Sequence, residues 1–306
     1  MLVSLKKLLL NKTSKYFFHI LKKSPSFIIG GTMSQKITNA GKAQSKTIEY
    51  VNISEKKVGL FVTCLVNTMR PSIGFASITL LEQAGCTVEV PESQSCCGQP
   101  AFNSGDDEGT RQIAYQTIKQ FENYDYVVLP SGSCAGMIKK NFIEVFKDQP
   151  EWLARAKRLA SITHELLSFL VDVCNFEPKD IELDGSYTYH DSCTGYRSLN
   201  VYEQPRKMLS KVKNLDHKPL NNHSECCGFG GTFCVKYSDI SNEIVAEKVE
   251  NVVETEADYL LGGDMGCLMN IAGKLNREGH KEIKALHTAE VLAGLAPQVL
   301  GGKDAS

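Results

Sequence analysis

The chain has 306 residues, 42% hydrophobic and 23% charged, a composition that supports a folded core rather than a disordered polymer. No run approaches the roughly 18 uninterrupted apolar residues of a membrane span, since Lys22, Lys23 and Pro25 break the best one, so no integral membrane segment is expected. The net charge of −1 joins two unlike parts: the first 48 residues carry nine lysines and no acid, leaving 25 basic and 35 acidic residues, net −10, in a body unsuited to nucleic acid.

In chain order, residues 1–55 read as a basic extension outside the fold. Their hydroxyl-rich, acid-poor character suits a mitochondrial presequence, and the lack of arginine before Arg70 argues against one. A disordered segment, with Met33 as the true start, is the other reading. The expected compartment is the cytoplasm, or the mitochondrion if the extension is a presequence.

From residue 57, apolar runs alternate with amphipathic stretches, the pattern of βα units and a parallel sheet. Lys57–Thr63 reads as a strand ending at Cys64, Ile73–Ala84 as a helix stopped by Gly85, and Cys86–Val90 as a strand entering SQSCCGQP. A helix is expected over Asp106–Phe121, a strand over Tyr126–Leu129 entering PSGSCAGM, and helices over roughly 134–147 and 151–173. The order then recurs: strands Ser186–His190 into Cys193, Asn214–Leu220 into SECCGFGG, and Tyr259–Leu261 into GGDMGCLM. Corresponding cysteines are offset by 129, 130 and 133 residues, which identifies an internal duplication. The segments around His164 and His287 also look alike, and the two histidines read as matched. With the boundary in the polar link Glu177–Gly185, a first unit covers 56–182 and a second 183–306. The expected fold is α/β, two tandem units, each a small parallel sheet flanked by helices.

Eleven cysteines, all beyond residue 63 and including the vicinal pairs Cys96-Cys97 and Cys226-Cys227, suit metal or redox chemistry better than a disulfide framework. In each unit they follow predicted strand ends, and an open parallel sheet gathers such ends at one edge. Cys64, Cys96, Cys97 and Cys134 form one candidate ligand set; Cys193, Cys226, Cys227 and Cys267 form the other. Four soft thiolates select zinc or an iron–sulfur cluster. Structural zinc favours tight C-x₂₋₄-C pairs, so the dispersed C…CC…C pattern favours iron–sulfur. Gly98, Gly228 and the Gly230-Gly231 pair let backbone pass close to a bulky ligand. A vicinal dithiol–disulfide couple would be strained, because adjacent Cα atoms lie only about 3.8 Å apart.

The other cysteines read differently. Cys86 and Cys174 look like core thiols, and Cys234 is either a bystander or an extra thiol near the second site. His190 could hydrogen-bond a ligand or be satisfied within its sheet. No bacterial ferredoxin run, P-loop or GxGxxG fingerprint is present, so flavin and nicotinamide binding have no sequence support, and no catalytic residue can be assigned.

These tandem C…CCG…C units resemble the CCG cysteine-rich domains of heterodisulfide reductases and of the glycolate oxidase iron–sulfur subunit. The strings LFVTCL, SCCGQPAFNSG, PSGSCAGM, YHDSC, ECCGFGGTF and DMGCLMNI are similar to the family of lactate utilization protein A over about residues 57–295. That resemblance implies an iron–sulfur, electron-transferring redox subunit rather than a complete enzyme. Its partners would be other lactate-utilization proteins, a ferredoxin-motif iron–sulfur protein and a third subunit, and the complex would oxidise L-lactate to pyruvate. It also implies that the eight cysteines hold two 4Fe–4S clusters. The related families leave a thiol–disulfide oxidoreductase acting at the cluster, or a glycolate oxidase subunit, as alternatives. The fuller CCG pattern ends in C-x-x-C, but Ser131 and Asp264 occupy the first of those positions, which favours four-cysteine cubanes. The short start of that family has no counterpart to the N-terminal extension.

Overall fold

A computed structural model describes residues 53–296. The expected extension therefore lies outside the described residues as far as residue 52. Within them are two all-parallel, four-stranded sheets with helical crossovers. The first comprises β1 (Lys57–Leu60), β2 (Thr87–Glu89), β3 (Tyr126–Leu129) and β4 (Thr163–Glu165), in the order β2-β1-β3-β4. The second comprises β5 (Glu182–His190), β6 (Lys213–His217), β7 (Tyr259–Gly262) and β8 (Lys284–His287), in the order β6-β5-β7-β8. The duplication read from cysteine spacing is thus a duplication of topology.

The central strands carry short apolar runs such as Val127, Val128 and Leu129, which are fully buried, whereas the edge strands β2 and β6 are polar and more exposed. The Ser72–Gln83 helix buries Ile73, Ala76, Leu80 and Leu81. It stops where Gly85 takes φ +88° and the Cys86 N–H reaches back to the Leu81 carbonyl, a left-handed cap that glycine adopts at little cost. Asp106 opens the Asp107–Phe121 helix by accepting the Gly109 N–H at 2.9 Å. Phe61, Ile118, Phe121 and Phe142 centre the first core; Val249, Leu260, Leu268 and Ile271 centre the second. Cys97 and Cys134 belong to the first of these clusters, Cys227 and Cys267 to the second.

Two sequence expectations change at the fourth strand of each sheet. The helix expected over 151–173 is Pro150–Ile162 only, followed by β4, the Leu166–Ser168 turn of helix and a π-helical stretch, Phe169–Val173. A three-residue buried strand with no glycine or proline beside it leaves no period to detect, so the fourth strand escapes a reading of the residues alone. The matching of His164 with His287 also fails. Leu129 pairs with Glu165 in the first sheet and Gly262 with His287 in the second. Tyr126 and Tyr259 occupy equivalent ladder positions against β1 and β5, so Leu129 corresponds to Gly262 and Glu165 to His287. His164 lies instead against Tyr126 and Phe169.

Candidate metal centre

The first strand ends four residues earlier than Cys64. Phe61–Thr63 continue as extended chain and Cys64 opens the Cys64–Met69 helix. Cys96 and Cys97 lie in the loop after β2, and Cys134 in the Gly132–Gly136 helix after β3. Three crossovers therefore deliver four thiols to one sheet edge. The Cys64 and Cys96 sulfurs are 3.8 Å apart, Cys97 interacts with both Cys96 and Cys134, and the Gly98 N–H points at Cys96 Sγ at 3.4 Å. Gly98 has φ +88°, so the turn that aims this amide at sulfur is one that glycine takes readily.

The thiols cannot all ionise by themselves. Hydrogen bonds from Cys64 and Cys97, with the Gly98 amide, pull Cys96 down to about 3. Cys64, donating to Cys96 and partly buried, is pushed above the ordinary thiol range. Contacts with Cys134 and Cys96, then burial, push Cys97 up as well. Four thiolates packed this closely require a compensating cation, and a metal ion or cluster supplies one.

The second quartet is built the same way. Cys193 opens the Cys193–Leu199 helix after β5, Cys226 and Cys227 follow β6, and Cys267 lies in the first turn of Met265–Glu278 after β7. Cys226 bridges Cys193 and Cys227, and Cys227 reaches Cys267. The Gly228 N–H points at Cys226 Sγ at 3.3 Å. A side chain at Gly228 would meet the Ser241 carbonyl at 2.7 Å, so the backbone is pressed against its support. The Cys227 contact lowers Cys267, but burial carries it up to about 11. Burial depth repeats too: Cys64, Cys96, Cys193 and Cys226 are half-buried, whereas Cys97, Cys134, Cys227 and Cys267 are buried. The donor sets fit soft, multi-iron ligation in both units.

One additional group stands at the second quartet. His190, the last residue of β5, is buried, and a ring nitrogen lies within 4.8 Å of the Cys227 and Cys267 sulfurs. Neither ring nitrogen has a hydrogen-bond partner among the described residues, so the sheet does not satisfy this histidine. Burial lowers it to about 3, leaving a neutral imidazole. Lys248 is buried nearby and donates to the Asn222 carbonyl at 2.9 Å, with Cys226, Cys227, Asp191 and Glu225 in its electrostatic range.

The two residues standing where cysteine was absent have a role that sequence reasoning missed. Ser131 caps the Cys134 helix by accepting the Cys134 N–H at 3.2 Å, and Asp264 caps the Cys267 helix through the Gly266 N–H at 3.2 Å. They also bond each other: the Ser131 hydroxyl and the Ser133 N–H donate to Asp264 Oδ2 at 2.9 and 3.0 Å. A capping network thus joins one ligand-bearing helix of each unit. The helices of Cys134 and Cys193 also touch, and a side chain at Gly132 would meet Ser192 Oγ at 2.7 Å. Only the serine–aspartate pairing of the two motifs, matched by offset, could have signalled this contact.

The same interface buries an ion pair. Arg70, just after the Cys64 helix, holds Glu290 at 2.9 and 2.8 Å and donates to the Ala285 carbonyl. Beside it lies an open groove of about 810 Å³, with an apolar floor including Met69 and Met269 and basic side chains Arg70, Lys281 and Lys284. Of the remaining cysteines, Cys86 and Cys174 are neighbours with sulfurs 4.0 Å apart, Cys86 preceding β2 rather than following it. Cys234 donates to the Gly231 carbonyl at 3.4 Å. No helix among the described residues is long and apolar enough to cross a membrane.

Comparison with known proteins finds the CCG cysteine-rich domain twice, over residues 58–139 and 187–272. Lactate utilization protein A of Geobacillus sp. (strain WCH70) is 50% identical over 236 residues, 77% of this chain and 98% of that protein. Its namesake in Geobacillus kaustophilus (strain HTA426) is also 50% identical, with the same coverage. Lactate utilization protein A 1 of Bacillus cereus (strain AH820) is 49% identical, again over 77% of this chain and 98% of that protein. Among solved structures, a hypothetical protein from Helicobacter pylori superposes with a TM-score of 0.54 at 10% identity. That match spans 81% of this chain and 51% of the other, a likeness of fold alone.

Proposed function

Because this chain belongs to the family of lactate utilization protein A and carries the CCG cysteine-rich domain twice, we propose that it is the iron–sulfur electron-transfer component of a complex oxidising L-lactate to pyruvate. Each cysteine quartet would hold one 4Fe–4S cubane, with Cys64, Cys96, Cys97 and Cys134 on the first and Cys193, Cys226, Cys227 and Cys267 on the second. The observation that carries this reading is the convergence of eight cysteines into two like quartets whose ligand-bearing helices share one interface. Ser131 and Asp264 serve as helix caps where a fifth cysteine would stand, which supports cubanes over five-thiolate clusters.

When bound, such clusters pass single electrons. The protein's part is to hold the thiolates, supply the Gly98 and Gly228 amides to sulfur, and keep two ligands of each set away from water. Removing a hydride or its equivalent from a 2-hydroxy acid is ordinarily handled by an organic cofactor. That step is assigned to the partners, a ferredoxin-motif iron–sulfur protein and a third lactate-utilization protein. The reading is tested by anaerobic reconstitution with metal and sulfide analysis. Two cubanes give about eight iron and eight labile sulfide per chain; stoichiometric zinc without sulfide overturns the proposal. The purified chain alone should not oxidise lactate with an artificial acceptor.

A further inference from the structure

The residue three positions before the first cysteine of each quartet differs between the units. In β1 and β5, Val58 and Tyr187 are equivalent by their pairing with Tyr126 and Tyr259, so Phe61 in the first unit corresponds to His190 in the second. Phe61 is fully buried and packs its ring against Phe121 at 5.3 Å. His190 is equally buried, but its ring nitrogens have no partner among the described residues, and one lies within 4.8 Å of the sulfurs of Cys227 and Cys267. An imidazole in a protein core normally spends its N–H on a carbonyl or carboxylate. Here the sulfurs of Cys227 and Cys267 stand near the ring as candidate acceptors.

We propose that His190 donates its N–H to sulfur at the second metal centre and sets that centre at a higher reduction potential than the first, where Phe61 offers no donor. The inference rests on the iron–sulfur reading above. Hydrogen bonds to cluster or thiolate sulfur stabilise the more negatively charged, reduced state, and so raise potential. Lys248, within electrostatic range of Cys226 and Cys227, acts in the same direction as a cation. Clusters held by these residues would then form an ordered pair of one-electron sites, with the second the stronger acceptor.

The experiment is redox titration of the reconstituted full-length chain followed by electron paramagnetic resonance, with iron and sulfide measured on the same samples. The wild-type protein should show two resolved midpoint potentials. His190→Phe should move the higher one downward and leave the lower one in place, with iron content unchanged. His190→Gln, which keeps an N–H donor, should restore part of the shift, and Phe61→His should move the lower potential upward. Identical potentials in wild type and His190→Phe overturn the inference while leaving the cluster assignment intact. Loss of half the iron in His190→Phe and His190→Gln alike also overturns it, because His190 would then be a ligand or a purely structural residue. Wild-type protein without iron and sulfide would remove the iron–sulfur reading and the inference with it.

Discussion

Two copies of one fold lie side by side in this chain, and what separates them is informative. Strand order, crossovers, the depth of each cysteine and the glycine amide aimed at the first sulfur of each vicinal pair are the same in both units. The substitutions lie around the quartets. Phe61 and Val62 of the first unit correspond to His190 and Asp191 of the second, where Asp191 takes a bidentate bond from Arg206 at 2.9 and 2.8 Å and a contact from His223 at 3.1 Å. Thus, just before its first cysteine, the first thiol set has apolar Phe61 and Val62 where the second has a buried imidazole and a buried carboxylate. Duplication kept the ligands and scaffold alike, while the surroundings of the two sites diverged.

Removing one ligand at a time tests the likeness of the two sites most severely. Cys97→Ser and Cys227→Ser should each halve the iron, from about eight to about four per chain, because a hydroxyl is a poor, hard substitute for thiolate. Electron paramagnetic resonance should lose a different signal in each variant. Cys86→Ser and Cys174→Ser, at the neighbouring thiols outside the quartets, should leave iron content unchanged. Full iron in both Cys97→Ser and Cys227→Ser would exclude the ligand assignment.

Next in size is the interface that joins the units. Glu290 is completely buried and Arg70 is its cation. Arg70→Met takes the cation from a buried carboxylate that keeps the Ser72 hydroxyl and the His287 N–H as donors, which should cost about 3 kcal/mol in denaturant unfolding. Arg70→Met combined with Glu290→Gln should recover part of that loss. If the single variant unfolds like wild type, the units are not coupled through this pair.

A third test uses the equivalent positions Glu165 and His287, which titrate in opposite senses. Burial pushes Glu165 up to about 7, so between about pH 4.5 and 7 the native chain holds a proton that the unfolded chain has released. Stability from this site therefore falls as pH rises across that window, by on the order of 3 kcal/mol. Burial lowers His287, whose Nδ1 accepts the Ala289 N–H at 3.2 Å. Below about pH 6.5 the unfolded chain binds a proton that native His287 resists, so stability falls as pH falls. Glu165→Gln should raise stability at pH 8 relative to pH 5, and His287→Gln should flatten the acid limb, both read from denaturant midpoints.

Much of this arrangement is legible in the residues. Near-constant offsets between C…CC…C motifs disclose the duplication, and Val-, Leu- and Tyr-rich runs ahead of each motif mark the central strands, so the ligand sets follow from the rule that parallel strands present their C-terminal ends together. Short buried edge strands are not legible, because Thr163–Glu165 is too brief to show a period. Neither is the Ser131–Asp264 clasp, since a capping residue and an interdomain partner look alike in one dimension. His190 is ambiguous until its neighbours are known. A sequence can show that a histidine precedes a ligand, but only the packing shows that both nitrogens face no ordinary partner.

The mildest substitutions compare the two backbones directly. Gly98 and Gly228 sit at the same turn with φ of +88° and +76°, each lending its amide to the preceding cysteine pair. Alanine at either position must adopt a left-handed conformation, which costs about 1–2 kcal/mol. Space around the added methyl then separates them. At Gly98 it would approach the Ile113 side chain at 3.3 Å, a contact that a small rotamer adjustment relieves. At Gly228 it would meet the Ser241 carbonyl oxygen at 2.7 Å, and Ser241 is tied to the Gly228 carbonyl by its hydroxyl at 2.9 Å, so neither group can move alone. Gly98→Ala should therefore lower stability by about 1 kcal/mol and Gly228→Ala by about 2 kcal/mol. Because the amide aimed at sulfur moves with the turn, Gly228→Ala should also weaken iron retention at the second site during aerobic storage more than Gly98→Ala does at the first. Equal losses in the two variants would mean that the helix bearing Ser241 yields, and that the second turn is no more tightly held than the first.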